Sequence, residues 1–242
     1  TGAEVTPIAI VTTGSTTKSG IVAPQLYADL AVLDAGLTLG LPRAVTAATG
    51  LDAMVHAIEA FTSRHLKNPL SDMLAVQALQ LLSGHLLAAC EDGGNLAARE
   101  AMLLGALLAG QAFANAPVAA VHALAYPLGG RFHLPHGLSN ALVLPHVLRF
   151  NAPVAAPLYA RLAEALLPAM SGRDEDKAAA FITHLEGLVA RSGLAPQLRS
   201  HGIAEHDLPQ LAADAMLQTR LLANNPRELS YDDALAIYQQ AF

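Results

Sequence analysis

Apolar positions change their spacing along this chain near residue 42. Before it, "PIAIVT" (7–12) and "LAVLD" (30–34) are short apolar runs with β-branched residues, separated by the polar stretch "TGSTTKSG" (13–20). They read as two strands flanking a turn. From Pro42 onward the runs are longer and the pattern is helical. "RAVTAATGLDAMVHAIEAFTS" is the first helix and "PLSDMLAVQALQLLSGHLLAAC" the second, closed by the turn "EDGGN". "LAAREAMLLGALLAGQAFANA" is the third, and after Pro117 comes the shorter "VAAVHALAY". The glycines and prolines of "PLGGRFHLPHG" predict a loop over 127–137. Four or five further helices follow, ending in "SYDDALAIYQQAF", where Ser230 and Asp233 have capping-box spacing. The pattern predicts a mainly α fold: a bundle-like all-helical domain over 43–242, preceded by a short β-containing segment over 1–42.

Composition supports the helical reading. Hydrophobic residues make up 53% of the 242 but aromatics only 5%, so small and linear side chains, good helix formers, fill the core. The net charge of −6 and only 14 scattered Lys and Arg argue against a nucleic-acid partner. The single cysteine, Cys90, excludes a disulfide framework and suits a reducing cytoplasm. Glu100 and Arg131 bracket a stretch without charge that imitates a membrane span. Gly105, Gly110, Gln111, Asn115, Pro117 and His122 interrupt it, so a buried helix broken at Pro117, with no membrane, is the expectation. No signal-peptide pattern opens the chain. "TGAEVT" reads as the inside of a loop, so a longer parent polypeptide is expected.

The candidate chemistry sits on histidines. Asp52 and His56, four apart, share one face of the first helix. Alone, that pair is explained by an internal hydrogen bond. His122, among alanines and leucines, and His136 in "LPHG" add two imidazoles. One carboxylate and three imidazoles form a coherent ligand set for a divalent transition ion and leave a position for a substrate oxygen. Glu59 extends the pattern to Asp-x-x-x-His-x-x-Glu and could be read as a fifth ligand, but it is expected to pair with a neighbouring polar group or the solvent. "EHDLP" resembles the metal-binding dipeptide of helical phosphohydrolases, but Asp207 stands where a helix N-cap belongs. His65, His85, His146, His184 and His201 suggest no partners.

These stretches resemble the iron-containing (group III) alcohol dehydrogenase family. "TAATGLDAMVHAIEAFTS" is similar to its first metal-binding helix, and "ANAPVAAVHALAYPLGGRFHLPHGLSNALVLPHVLRFN" to its second signature. "TGAEVTPIAIVT" and "LLANNPREL" resemble segments near the start and end of the same region. The resemblance implies metal ligands at Asp52, His56, His122 and His136, holding ferrous iron or zinc. It implies NAD(P) contacts at Thr1, Thr6, Lys18 and Leu37, an alcohol or carbonyl substrate, and a homodimer. Residues 1–42 then become what remains of a nucleotide-binding domain whose glycine-rich loop is absent. Where the family carries another histidine one turn beyond the third ligand, this chain has Tyr126, a poor proton acceptor near neutral pH but a capable hydrogen-bond donor. A maleylacetate-reducing branch fits less well, since it tends to lack the aspartate present as Asp52. A metal-dependent hydrolase and an inert helical oligomerisation module stand as alternatives.

Overall fold

The computed structural model describes the backbone of every residue except 14–16 and the side chains of all except 12–19. Its organising element is α1 (Arg43–Thr62), in which every residue from Gly50 to Thr62 is buried. A helix apolar on all sides has to sit inside a bundle. α1 packs against α2 (Pro69–Glu91), α3 (Leu96–Asn115) and α5 (His136–Leu166). α2 and α3 pair closely, α6 (Asp174–Ser192) lies along α5, and α4 (Ala120–Phe132) bridges α5 and α7 (Leu208–Met216). The short α8 (Thr219–Leu222) leans on α4, and α9 (Tyr231–Ala241) closes the bundle against α7 and α5. By length and composition alone α2, α3 and α5 could each cross a membrane; here all three pack within this bundle.

The N-terminal segment carries one antiparallel hairpin, β1 (Ile8–Thr13) and β2 (Thr17–Val22), with Ile8 opposite Val22. This corrects two expectations. The second strand comes from "TKSGIV", which begins inside the stretch read as a polar turn and runs two residues past it, because a neighbouring β1 supplies the ladder that weak local apolarity could not announce. "LAVLD" forms no strand: among the described residues it pairs with nothing, and Leu30 and Val32 are 78% and 76% exposed. A strand without a ladder leaves its backbone groups to water and gains little.

The helices of 43–116 match the sequence reading closely, whereas the expected loop over 127–137 is mostly helix. α4 continues through Pro127, Gly129 and Gly130 to Phe132, and only 133–135 are non-helical. Burial of Ala123, Leu124, Leu128 and both glycines overrides their low helix propensity. The Tyr238 hydroxyl donates to the Leu124 carbonyl at 2.6 Å, in the turn where Pro127 removes a backbone donor. His133, with φ of 54°, takes the left-handed position that ends the helix. Asp207 also departs from expectation. It stands at the N-cap of α7, but its carboxylate accepts from Ala204 N–H at 2.9 Å instead of capping the helix. The Ser230–Asp233 capping box is present at the start of α9.

Close backbone approaches require glycine at Gly2, at Gly110 opposite it, and at Gly137. Gly2, with φ of +77°, lies against α3, where a Cβ would stand 2.2 Å from the Ala106 carbonyl oxygen. Gly137, at the start of α5, faces α1 so closely that a Cβ would stand 2.2 Å from the Ala48 carbonyl oxygen and 3.3 Å from Asp52 Cβ. The second contact fixes the spacing between the helices that carry Asp52 and His136.

Candidate metal centre

Three helices deliver four side chains to one point. α1 supplies Asp52 and His56 one turn apart, the first turn of α4 supplies His122, and His136 opens α5. Asp52 is the hub. Its Oδ1 lies 3.8 Å from His56 Nε2, 3.7 Å from His122 Nε2 and 3.6 Å from His136 Nε2. The four ligand atoms all lie within 4.8 Å of one another. These separations exceed an N–H···O hydrogen bond, so direct pairing does not account for the convergence. Four atoms bonded at about 2.1 Å to a shared tetrahedral centre stand about 3.4 Å apart, close to what is seen. The donor set and spacing fit a divalent transition ion. Asp52, His56 and His122 are buried, while the His136 side chain is 42% exposed, so the cluster opens to solvent on one side.

The electrostatics suit ligation. Burial alone would raise the Asp52 carboxyl, but His56, His136, His122 and the Asn140 amide outweigh it and hold it below the ordinary value. Burial, helped by the charges of His122 and His136, drives His56 down to about 3 against the pull of Asp52. His56 is therefore a neutral imidazole with a lone pair to offer. His122 moves the other way: burial would lower it, but the Glu59 and Asp52 carboxylates raise it.

Three contacts around the cluster went unassigned in the sequence. Glu59, buried on α1, accepts from His122 Nδ1 at 2.6 Å and from Val121 N–H at 2.7 Å, which supplies the polar partner expected for it. Asn140, one turn past His136 on α5, donates to Asp52 Oδ1 at 2.5 Å, and its nitrogen lies 3.3 and 3.4 Å from His122 and His136 Nε2. The i,i+4 spacing from His136 was the signal available for it. Phe113 stacks on His56 with centroids 4.3 Å apart, a contact across helices that no local pattern announces. Among the described residues, His56 Nδ1 and Asn140 Oδ1 have no hydrogen-bond partner. Tyr126, one turn after His122, stands with its ring 6.0 Å from that of His136; burial raises its hydroxyl above the ordinary value, opposed by Arg220.

The residues expected near a cofactor are less concentrated. Thr1 lines a cavity of about 250 Å³ with Thr38, Thr46 and Thr49, next to the turn holding the 84%-exposed Leu37. Thr6 is buried and spends its hydroxyl on the Ala3 carbonyl at 3.0 Å. Lys18 pairs with Thr12 through the backbone of β2, and its side chain lies outside the described residues. Among the other histidines, His184 hydrogen-bonds Ser83 at 2.7 Å, His85 the Leu81 carbonyl and His201 the Ala195 carbonyl, all structural contacts. His206 lies 3.6 Å from Asp207 on an exposed turn, and no further ligand group gathers there among the described residues.

An all-helical bundle gathering three imidazoles and a carboxylate defines a candidate metal-binding helical domain. The profile described as "Fe-containing alcohol dehydrogenase family, C-terminal" matches residues 46–242, and the chain belongs to that family. It is 44% identical over its whole length to long-chain-alcohol dehydrogenase 1 of Geobacillus thermodenitrificans and covers 61% of that protein. Its fold superimposes on a 1,3-propanediol oxidoreductase crystal structure with a TM-score of 0.95 at 38% identity, covering all of this chain and 63% of the other. A sulfoacetaldehyde reductase of Bifidobacterium kashiwanohense, solved in complex with NAD+, matches the whole chain with a TM-score of 0.88 at 28% identity, over 62% of its own length. The chain thus spans about three fifths of the length of these relatives.

Proposed function

We propose that this chain is the metal-binding portion of an NAD(P)-dependent dehydrogenase that interconverts primary alcohols and aldehydes. Asp52, His56, His122 and His136 hold one divalent ion, ferrous iron first and zinc second. The observation that carries this reading is the convergence of those four groups on one point in a chain of this family. When bound, such an ion polarises an alcohol or carbonyl oxygen as a Lewis acid. A bound nicotinamide cofactor would supply the hydride acceptor or donor.

The remaining work belongs to the chain's own residues. Asp52 and Asn140 hold the ligand atoms in register, and Phe113 excludes water from behind His56. Tyr126, raised by burial, keeps its proton at neutral pH and donates a hydrogen bond to the substrate oxygen on the exposed side of His136. Thr1, Thr6, Lys18 and Leu37 stand as the dinucleotide contacts in this reading, and the dinucleotide's phosphates need helix N-termini and glycine amides from a nucleotide-binding segment. Residues 1–42 serve as the link to that segment and 43–242 as the catalytic helical domain, in a cytoplasmic homodimer.

The test is made on the polypeptide joined to such a segment, purified without oxygen and loaded with ferrous iron or zinc. NADH or NADPH consumption with a primary aldehyde, lost on chelation and restored by metal, is the expected result. Nicotinamide-independent ester or phosphate hydrolysis would instead support a metal-dependent hydrolase, and silence with metal bound would support an inert module.

A further inference from the structure

We infer that Glu59 is the positioning residue that presents His122 to the metal. This rests on the four-ligand site proposed above. The Glu59 side chain is 4% exposed and its two oxygens are both committed, one to Val121 N–H at 2.7 Å and the other to His122 Nδ1 at 2.6 Å. A carboxylate oxygen accepts, so the hydrogen of this contact sits on Nδ1, and Nε2 is turned toward Asp52, 3.7 Å from its Oδ1. Ligating histidines held this way have their ring orientation and tautomer fixed from outside the metal shell. His56 is held differently, by stacking on Phe113 with its Nδ1 unpartnered among the described residues.

The contact to Val121 adds a second constraint. Val121 lies in the first turn of α4, where backbone N–H groups lack helical partners. One side chain on α1 therefore anchors both the start of α4 and the ring that α4 presents.

Glu59→Gln separates these roles sharply. Glutamine has one acceptor oxygen for two donors. If that oxygen stays on Val121, the amide NH2 meets His122 Nδ1, and the ring must move its proton to Nε2, the atom needed for ligation. If the amide turns over, the Val121 N–H is left facing a donor. The experiment is zinc competition against a chromophoric chelator, with thermal melts of the metal-free proteins alongside. Glu59→Gln is expected to bind zinc about 10- to 100-fold more weakly, with the metal-free melting temperature changed far less than the metal-loaded one. In the zinc-loaded wild type, ¹H–¹⁵N spectra should show a strongly downfield Nδ1–H on His122. That readout survives even if the variant does not fold.

Equal zinc affinity in wild type and variant, or a wild-type spectrum with the His122 proton on Nε2, overturns the role of Glu59. A wild type that binds no zinc overturns the metal site itself.

Discussion

Asp52→Asn should strip the protein of its divalent ion while leaving the bundle folded. Asp52 Oδ1 is the atom from which all three imidazole nitrogens are 3.6–3.8 Å away, so it is the shared corner of the ligand set. Asparagine keeps the shape and can still accept from Asn140, but it withdraws the negative charge from a buried centre. Removing one partner of a buried charged cluster costs about 3–5 kcal/mol, equivalent to a loss of about 10²–10⁴-fold in affinity. Elemental analysis after dialysis against a weak chelator should find close to one equivalent of iron or zinc in the wild type and a small fraction in the variant. Nicotinamide-linked turnover should fall with it. Full metal occupancy in the variant would mean that Asp52 is a bystander.

Gly137→Ala should loosen the bundle at the metal site itself. The added Cβ would sit 2.2 Å from the Ala48 carbonyl oxygen, a backbone atom with no rotamer to yield. α5 must then move away from α1, carrying His136 away from Asp52. Overpacking of this kind costs about 3 kcal/mol, which lowers the melting temperature of a chain this size by about 6–12 °C. Metal affinity should fall as well, because the displacement acts on two ligands at once. Gly84 on α2 is the control: its added Cβ would meet nothing within 4 Å, so Gly84→Ala should raise stability by up to about 1 kcal/mol. Chemical or thermal melts of the two variants check the opposite signs. Equal effects would show that the α1–α5 spacing is slack.

The contrast between those glycines shows where the sequence was informative. α1, α2 and α3 were legible because each is long, apolar and bounded by polar turns. α4 was cut short because Pro127, Gly129 and Gly130 carry strong local signals, and only their burial against neighbouring elements reverses them. The second strand lies at Thr17–Val22 instead of at "LAVLD" because β2 owes its existence to pairing with β1. At the site, Asp52 and His56 were visible as a helical pair, but nothing local connects them with His122 and His136, 66 to 84 residues further along. Family resemblance supplied that connection. The grip of Glu59 on His122 spans 63 residues and is a property of the fold.

Anomalous diffraction from crystals of the protein loaded with a single equivalent of metal tests the central claim most directly. Data collected on either side of the iron and zinc edges should show one peak, bonded to a carboxylate oxygen of Asp52 and to Nε2 of His56, His122 and His136. A peak held by other residues, or none despite stoichiometric loading, would contradict the account.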